Sequence, residues 1–218
     1  MCSAAVGDRS FPLIAVEGVL MTYHGPKVRL ARQVGIAWTP KAAKVLQTRA
    51  YPPGEHGRGR KKESAYRVQL LEKQKLRYQY HIGEKQLINA FVKAQKSSEN
   101  TVDVLMGLLE CRLDMMVLRG NLARTIYQAR QVVVHGHVRV NGRRVDKPSY
   151  QMRPGDFLDI CPKSREISLF RYSEGLTVPP PYVEIDPANF SLKLLRVPVR
   201  DDVPVIADLP AIIEFYSR

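Results

Sequence analysis

The clearest pattern in the chain lies between Cys111 and Ile160, where apolar residues recur first at helical spacing and then at strand spacing. Two apolar clusters repeat every three or four residues: Leu113, Val117 and Leu118, followed by Ile126, Ala129, Val132 and Val133. Such spacing puts the apolar side chains of each cluster on one face of a short helix. Thr125 can cap the start of the second helix, and Gly136 can end it.

The residues after Gly136 predict a β-hairpin. Val138 and Val140 alternate with polar residues and lead directly into Asn141-Gly142. Both central residues of a type I′ turn need a positive φ, and Asn-Gly is the strongest short signal for such a turn. A second turn, RPGD at 153–156, precedes an apolar run at 157–160 that we interpret as a third strand. These strands predict a small antiparallel sheet.

Helical patterns also precede this segment, and we predict helices from Ser64 to about Tyr80, from about Glu84 to Ala94 and from Thr101 towards Val117. On the first helix one spacing collects Val68, Leu71, Lys75 and Tyr78, and another collects Arg67, Lys73 and Arg77. We interpret the first set as the packing face and the second as charge that is available to a partner. The expected fold class is α+β: a helical N-terminal domain with a segment of two helices and a small sheet inserted into it.

The two ends of the chain carry weaker patterns. Residues 21–51 combine turn formers and positive charge with little periodicity, so we expect them to fold only by packing on the rest of the chain or on RNA. Spaced prolines exclude long helices near the C-terminus and leave 182–185 and 191–195 as strand candidates. Residues 211–216 fit either a helical turn or a strand. We interpret residues 1–20 as a disordered extension, with an upstream start codon as the alternative and an organellar origin left open.

Charge is concentrated in the first two thirds of the chain. The formal net charge is +13 and the pI is about 9.8, which suits a polyanionic partner. Residues 21–80 hold 14 basic and 3 acidic side chains, and residues 81–161 hold 12 and 8. Residues 162–218 hold 7 basic and 8 acidic side chains. We therefore expect the first two regions to bind nucleic acid and the last one to pack or to contact protein.

Other classes of protein fit less well. No window of 18 apolar residues exists, so we expect no transmembrane helix and no membrane partner. Cys2, Cys111 and Cys161 are too far apart for zinc-ligand spacing and too few for a disulfide framework, which is typical of a reducing compartment. No GxxxxGK[ST] motif is present, so nucleotide hydrolysis is unsupported.

Two regions supply candidate RNA-binding residues. The first is the glycine-rich loop YPPGEHGRGRKK at 51–62 with the helix that follows it, where glycines allow close approach to a phosphate and basic side chains supply the countercharge. A solvated linker is the alternative reading of this loop. Its candidates are Arg58, Arg60, Lys61, Lys62, Arg67, Lys73 and Arg77. The second region adds Arg112, Arg124, Thr125, Gln128, Arg130, Gln131, His135, His137, Arg139, Asn141, Arg143 and Arg144. Arginine dominates this set because its guanidinium fork matches phosphate geometry.

Long ordered motifs carry a family resemblance. The segment 111–160 resembles the S4-type RNA-binding domain through RLD at 112–114, ARTIYQARQVVVHGHVRVNGRRVD at 123–146, PSY at 148–150 and RPGD at 153–156. GPKVRLARQVG at 25–35, the basic run at 51–80 and the tail at 197–218 extend the likeness over nearly the whole chain. The chain thus resembles the S4 family of bacterial-type small-subunit ribosomal proteins.

The resemblance implies a domain plan and a role. The chain would consist of a basic, helical region at 21–110, an S4-type domain at 111–175 and a C-terminal segment at 176–218 that packs on the helical domain. The family's role implies a structural protein of the small ribosomal subunit, cytoplasmic or organellar, that binds rRNA directly and nucleates assembly of the 5′ domain. Implied partners are small-subunit rRNA, ribosomal proteins S5 and S3, and mRNA near its entrance channel, with a contribution to decoding accuracy.

Some members of the family bind zinc through cysteines in the N-terminal region. Here the corresponding residues are Val28 and Ala31, neither of which can bind a metal, so we assign no zinc and no other cofactor. His135 and His137 flank Gly136, but without a third convergent ligand we interpret them as backbone or phosphate contacts.

Two other functions were weighed. Pseudouridine synthases with S4 domains use the Asp of an Arg-Leu-Asp motif as nucleophile, but they carry it in a separate catalytic domain. Here Arg112-Leu113-Asp114 begins the RNA-binding segment itself, so we interpret Asp114 as orienting a neighbouring arginine or capping local structure, and we expect no enzyme. The alternative binding function is a free-standing S4-domain factor that acts on ribosomes.

Overall fold

The computed structural model describes residues 23, 25–59, 64–167, 170 and 178–217. Within these residues the chain forms eight α-helices and five strands. The helices are α1 (Lys27–Val34), α2 (Pro40–Thr48), α3 (Ala65–Gln79), α4 (Glu84–Gln95), α5 (Thr101–Glu110), α6 (Leu113–Arg119), α7 (Ile126–Val134) and α8 (Leu209–Ser217). The strands are β1 (Val138–Val140), β2 (Arg143–Arg144), β3 (Phe157–Ile160), β4 (Val183–Asp186) and β5 (Ser191–Leu194). The α+β fold class predicted from the sequence is confirmed. The predicted extension at 1–20 lies outside the described residues.

Local caps set the ends of the predicted helices. The Thr125 side chain accepts a hydrogen bond from the backbone N–H of Gln128 at 3.3 Å, and Ser64 does the same for Arg67 at 3.2 Å. Gly136, at φ 70°, follows the end of α7. The helix starts and stops predicted at these residues are confirmed.

The five strands of the described structure form one antiparallel sheet in the order β2-β1-β3-β5-β4. Strands β1 and β2 form the predicted hairpin, with Asn141 at φ 50° and Gly142 at φ 79°, as a type I′ turn requires. Strand β3 pairs with β1 on one side and with β5 on the other. Both strand candidates in the C-terminal part are confirmed as β4 and β5.

The C-terminal segment divides between two places. Its strands β4 and β5 extend the sheet of the S4-type region, in register through Leu158 opposite Leu192. Tyr182, just before β4, also reaches the helical domain through a hydrogen bond to Glu110, and the later residues contact that domain where α8 packs along α3 and a short 3-10 helix at Arg200–Asp202 contacts α5. The described residues of this segment thus contact both the sheet and the helical region, while the domain bounds of 176–218 stay a prediction. The residues at 211–216, ambiguous in sequence, lie in α8.

One expectation for the helical region needs correction. The predicted helix from Thr101 ends at Glu110 rather than near Val117, because Arg112 is extended and pairs with Gln151 across a β-bridge. Residues 21–51, expected to fold only by packing on the rest of the chain or on RNA, contain α1 and α2, and α1 packs on α3. Thr39 and Pro40 start α2 as cap and first residue, a signal that the low periodicity of this region obscured.

One apolar core joins the helical region to the sheet. Leu76 and Tyr80 of the first region and Met116, Leu158 and Leu194 of the second belong to the same buried cluster. The helical region and the S4-type region therefore share one core, which holds their surfaces in a fixed relation. Within the described residues, no helix is long and apolar enough to cross a membrane.

The Cys111 thiol at the corner between α5 and α6 gives a testable pH dependence. Burial raises the pKa of this thiol from 9.0 to about 11. The thiolate is the reactive form of cysteine. At pH 8 this higher pKa lowers the thiolate population about a hundredfold relative to an exposed thiol. We expect iodoacetamide to modify Cys111 roughly a hundredfold more slowly in native protein than in urea, with the rate rising towards pH 11. Peptide mass spectrometry measures this, and equal rates in both states would contradict it.

Candidate RNA interface

Exposed cationic and polar side chains gather where α7 meets the β1–β2 hairpin. Arg143 and Arg144 project from β2, and Gln131 and His135 are exposed on and just after α7. The guanidinium of Arg144 donates to the His135 carbonyl at 3.2 Å, which fixes the hairpin to the helix end. Together with exposed Arg124 at the other end of α7, these residues make up what we call the α7-hairpin surface. Of the predicted site residues that the structure describes, these five are exposed to solvent, as are Asn141 in the hairpin turn and Arg58 in the N-terminal region.

Gly136 makes this arrangement possible. It is buried at φ 70°, and a Cβ at this position would overlap the guanidinium of Arg144. Any side chain here would therefore displace the guanidinium as well as strain the backbone. Gly136 therefore leaves room for the guanidinium of Arg144 in addition to ending α7.

Several predicted residues hold the local structure instead of facing solvent freely. Thr125 caps α7, and the amide oxygen of Gln128 accepts from the backbone N–H of Arg124 at 2.9 Å. The side chain of Asn141 donates to Asp156 at 2.8 Å and accepts from the backbone N–H of Phe157 at 2.9 Å, tying the two turns together. The half-buried Arg139 pairs with Asp159. These residues position the surface.

A buried carboxylate organises two of the predicted arginines. Asp114 is fully buried and accepts two hydrogen bonds from Arg112, at 3.0 and 2.7 Å. Arg130 lies 3.8 Å from the same carboxylate and donates to the His81 carbonyl at 3.0 Å. The interpretation of Asp114 as orienting a neighbouring arginine is confirmed. Arg112, only 5% exposed, faces the interior, and Arg130 stands at the edge of the surface with its guanidinium already engaged.

The N-terminal candidates separate in a similar way. Arg58 is exposed and lies over the Tyr51 ring at 4.6 Å, and its hydrogen bond lowers the pKa of Tyr51. Arg67 is half-buried at the start of α3, and Arg77 donates to the Ile82 carbonyl at 3.2 Å. Arg60, Lys61 and Lys62 lie outside the described residues.

The position of Lys73 shows that the packing face predicted for α3 is wrong. It is 6% exposed, its ammonium lies 2.7 Å from Glu84, and the Phe215 ring stacks beneath it at 4.7 Å. Val68, expected on the packing face, is 43% exposed. The buried face of α3 runs instead through Gln69, Lys73 and Leu76, because α8 supplies an aromatic partner for the lysine that its own sequence neighbours do not reveal.

Basic residues of α1 and α2, which the sequence pattern did not indicate, also lie near the glycine-rich loop at 51–62. Arg32 also lies over the Tyr51 ring, with its guanidinium carbon 4.9 Å from the ring centre, and it donates to the Tyr51 carbonyl at 3.1 Å. Lys41, Lys44 and Arg49 are exposed on or beside α2. With Arg58 they form what we call the N-terminal basic surface. The signal that could have located it was the Thr39-Pro40 helix start, which would have placed these residues on a helix.

A small groove opens beside the C-terminal half of α7. Apolar side chains form its floor, namely Val132, Ile167 and Phe170, and polar side chains form its rim, namely Gln128, Gln131, His135 and His137. The groove has a volume of about 100 Å³. His137 is held by a 2.8 Å hydrogen bond between its Nδ1 and the Ser164 hydroxyl. We call this feature the α7 groove.

The residues present do not fit the zinc site known from some S4-family proteins. Val28 and Ala31 lie in α1, one half-buried and the other buried, and neither side chain has a donor atom. Across the described part of the chain, no group of three His, Cys, Asp or Glu side chains could hold a metal ion.

Comparisons with known proteins agree with this arrangement. Residues 22–110 match the family model of the ribosomal protein S4/S9 N-terminal domain, and residues 111–158 match that of the S4 domain. The small ribosomal subunit protein uS4 of Streptomyces coelicolor is 49% identical over 88% of this chain and 97% of its own length. The uS4 proteins of Beutenbergia cavernae and Tropheryma whipplei are 46% and 42% identical over 88% of this chain and 96% and 97% of theirs. The two family models together cover the basic and S4-type regions, and the relatives match over nearly their full length. The chain therefore belongs to the uS4 family of small-subunit ribosomal proteins.

Proposed function

We propose that this protein is a structural constituent of the small ribosomal subunit and binds small-subunit rRNA directly. The observation that carries the proposal is the pair Arg143 and Arg144 on a hairpin that a hydrogen bond fixes to the end of α7. The relatives named as small ribosomal subunit proteins support the same role, and none of the three described above is named as an enzyme. Asp114 has a structural role in orienting Arg112, which agrees with a binding function.

The expected mode of binding follows from the shape of RNA. A-form helices hide their base edges in a deep, narrow groove, so proteins contact mainly phosphates and 2′-hydroxyls. The α7-hairpin surface and the N-terminal basic surface carry arginines and lysines suited to such contacts. Because the two regions share one core, the protein can hold separate RNA segments at a set distance. That property suits a binder of a junction between RNA helices.

Finer parts of the role rest on the family resemblance. We propose that the protein nucleates assembly of the 5′ domain, lies beside ribosomal proteins S5 and S3 near the entrance channel of mRNA, and contributes to decoding accuracy. The C-terminal part supports a protein contact, because exposed apolar side chains at Val197, Val199 and Ile206 accompany a net charge near zero there. The proposed location is the ribosome.

Quantitative mass spectrometry across a sucrose gradient tests the role. After a high-salt wash of the native extract, we expect one copy of the protein per small subunit, because contacts spread over two basic surfaces release slowly. A substoichiometric or salt-released signal would contradict this and favour a free-standing S4-domain factor. The subunit's other proteins provide the internal standard for stoichiometry.

A further inference from the structure

We propose that the α7 groove receives a single unstacked base of the bound rRNA, one aromatic ring in size. This inference rests on the proposed function and adds a base contact to a surface described so far by its charge. Such a contact would give the protein one point of register on the RNA, which phosphate contacts alone do not supply.

The size of the groove selects a ring. A closed cavity of about 150 Å³ lined by apolar side chains binds benzene. The α7 groove, at about 100 Å³, is open on one side, so a ring can enter it and leave its ribose outside. Sites for whole drug-sized ligands are larger, about 300 Å³ or more. A pyrimidine base therefore fits better than a nucleotide or a larger metabolite.

The chemistry of the groove selects a base over other parts of RNA. Ile167 is 39% exposed at the floor, so an apolar contact surface is available to a ring face. Phosphates and riboses offer no such face, whereas every base does. The amide groups of the rim can both donate and accept, which matches the edge of a base. His137 is held by Ser164 and meets the Phe170 ring edge-on at 6.3 Å, so this wall is ordered before RNA arrives.

The surrounding charge places RNA at this groove. His135 belongs to the rim, and its carbonyl holds the guanidinium of Arg144 at 3.2 Å. A phosphate bound by Arg144 would therefore lie close to the mouth of the groove. RNA that follows the α7-hairpin surface brings its bases past the opening, which favours a nucleobase over a side chain of a neighbouring protein.

Gln131→Trp tests the inference, because an indole at this exposed rim position covers the floor without changing net charge. Val134→Trp is the matched control: Val134 is 53% exposed, lies on the same helix and does not line the groove. The measurement is affinity for transcribed full-length small-subunit rRNA as a function of salt. We expect Gln131→Trp to weaken binding about tenfold, the scale of one lost stacking contact. Its slope of log affinity against log salt should match the native protein, because no phosphate contact is lost.

Three results would overturn the inference. If both tryptophan variants bind like the native protein, the groove does not hold a base and only this inference fails. If Gln131→Trp lowers the salt slope, the variant disturbs phosphate contacts instead. If the native protein fails to bind the rRNA, the proposed function fails as well. A second variant, Ile167→Ser, removes apolar floor without adding bulk, and we expect a several-fold loss from it even where Gln131→Trp does not fold.

Discussion

Glu110→Ala will lower the free energy of unfolding by about 3–5 kcal/mol, the usual cost of leaving the partner of a buried ion pair uncompensated. The Glu110 carboxylate is fully buried and accepts two hydrogen bonds from Arg119, at 3.0 and 2.8 Å. It also accepts from the hydroxyls of Tyr80 at 2.5 Å and Tyr182 at 2.9 Å. Burial raises the pKa of both tyrosines, so both remain protonated donors at neutral pH. Urea unfolding measures the loss.

The cost is large because Glu110 joins three parts of the protein. Tyr80 directly follows α3, Arg119 lies in α6 and Tyr182 directly precedes β4. Removal of the carboxylate leaves one guanidinium and two hydroxyls in the core without their hydrogen-bond acceptor. Glu166→Ala, at an exposed position, serves as control and should change stability by less than about 0.5 kcal/mol.

A double variant separates the ion pair from the packing around it. Replacing both Glu110 and Arg119 with leucine should recover part of the loss, since no charge is left unpaired. A Glu110→Ala protein within about 1 kcal/mol of the native one would show that water reaches the site and that the carboxylate does not hold the domains together.

Reversal of Arg143 and Arg144 to glutamate will weaken binding to small-subunit rRNA by about 10–100-fold at moderate salt. Each phosphate that a protein neutralises contributes to the salt dependence of binding, so the slope should also fall by roughly one to two. Both side chains are exposed and Arg144 makes one hydrogen bond to the chain, at the His135 carbonyl, so the fold should survive. Filter binding over a salt series measures both quantities.

The control for this prediction must carry the same change of net charge. Lys85 and Lys93 are exposed on α4 and belong to neither basic surface, so their reversal to glutamate matches the change of four charges. We expect that pair to affect rRNA affinity only a few-fold. Equal losses in both double variants would mean that overall charge, and not the α7-hairpin surface, governs binding.

Local features of the fold were predictable because their causes are local. The caps at Ser64 and Thr125, the stop at Gly136 and the Asn141-Gly142 turn each depend on the conformational preference of one or two residues. The exposure of the arginines of the β1–β2 hairpin was predictable for the same reason, because a two-residue turn projects its flanking side chains.

The side chains that the sequence misplaced share one property: their partners lie far away along the chain. Lys73 looked like a surface charge until α8 brought Phe215 beneath its ammonium. Arg130 looked free until the fold set the His81 carbonyl and the Asp114 carboxylate against it. Arg112 was drawn into the interior by the same carboxylate. Helical spacing alone cannot distinguish a buried, paired cation from a solvated one.

The sequence by itself determined the helices from α3 to α7, the hairpin, the basic character and the family of this protein. The tertiary structure decided that β4 and β5 join the sheet, that one core unites the helical and S4-type regions, and which cations remain exposed. The physical reason is the cost of burying charge: a buried cation needs an anion or a ring beside it, and only the folded chain brings such partners together.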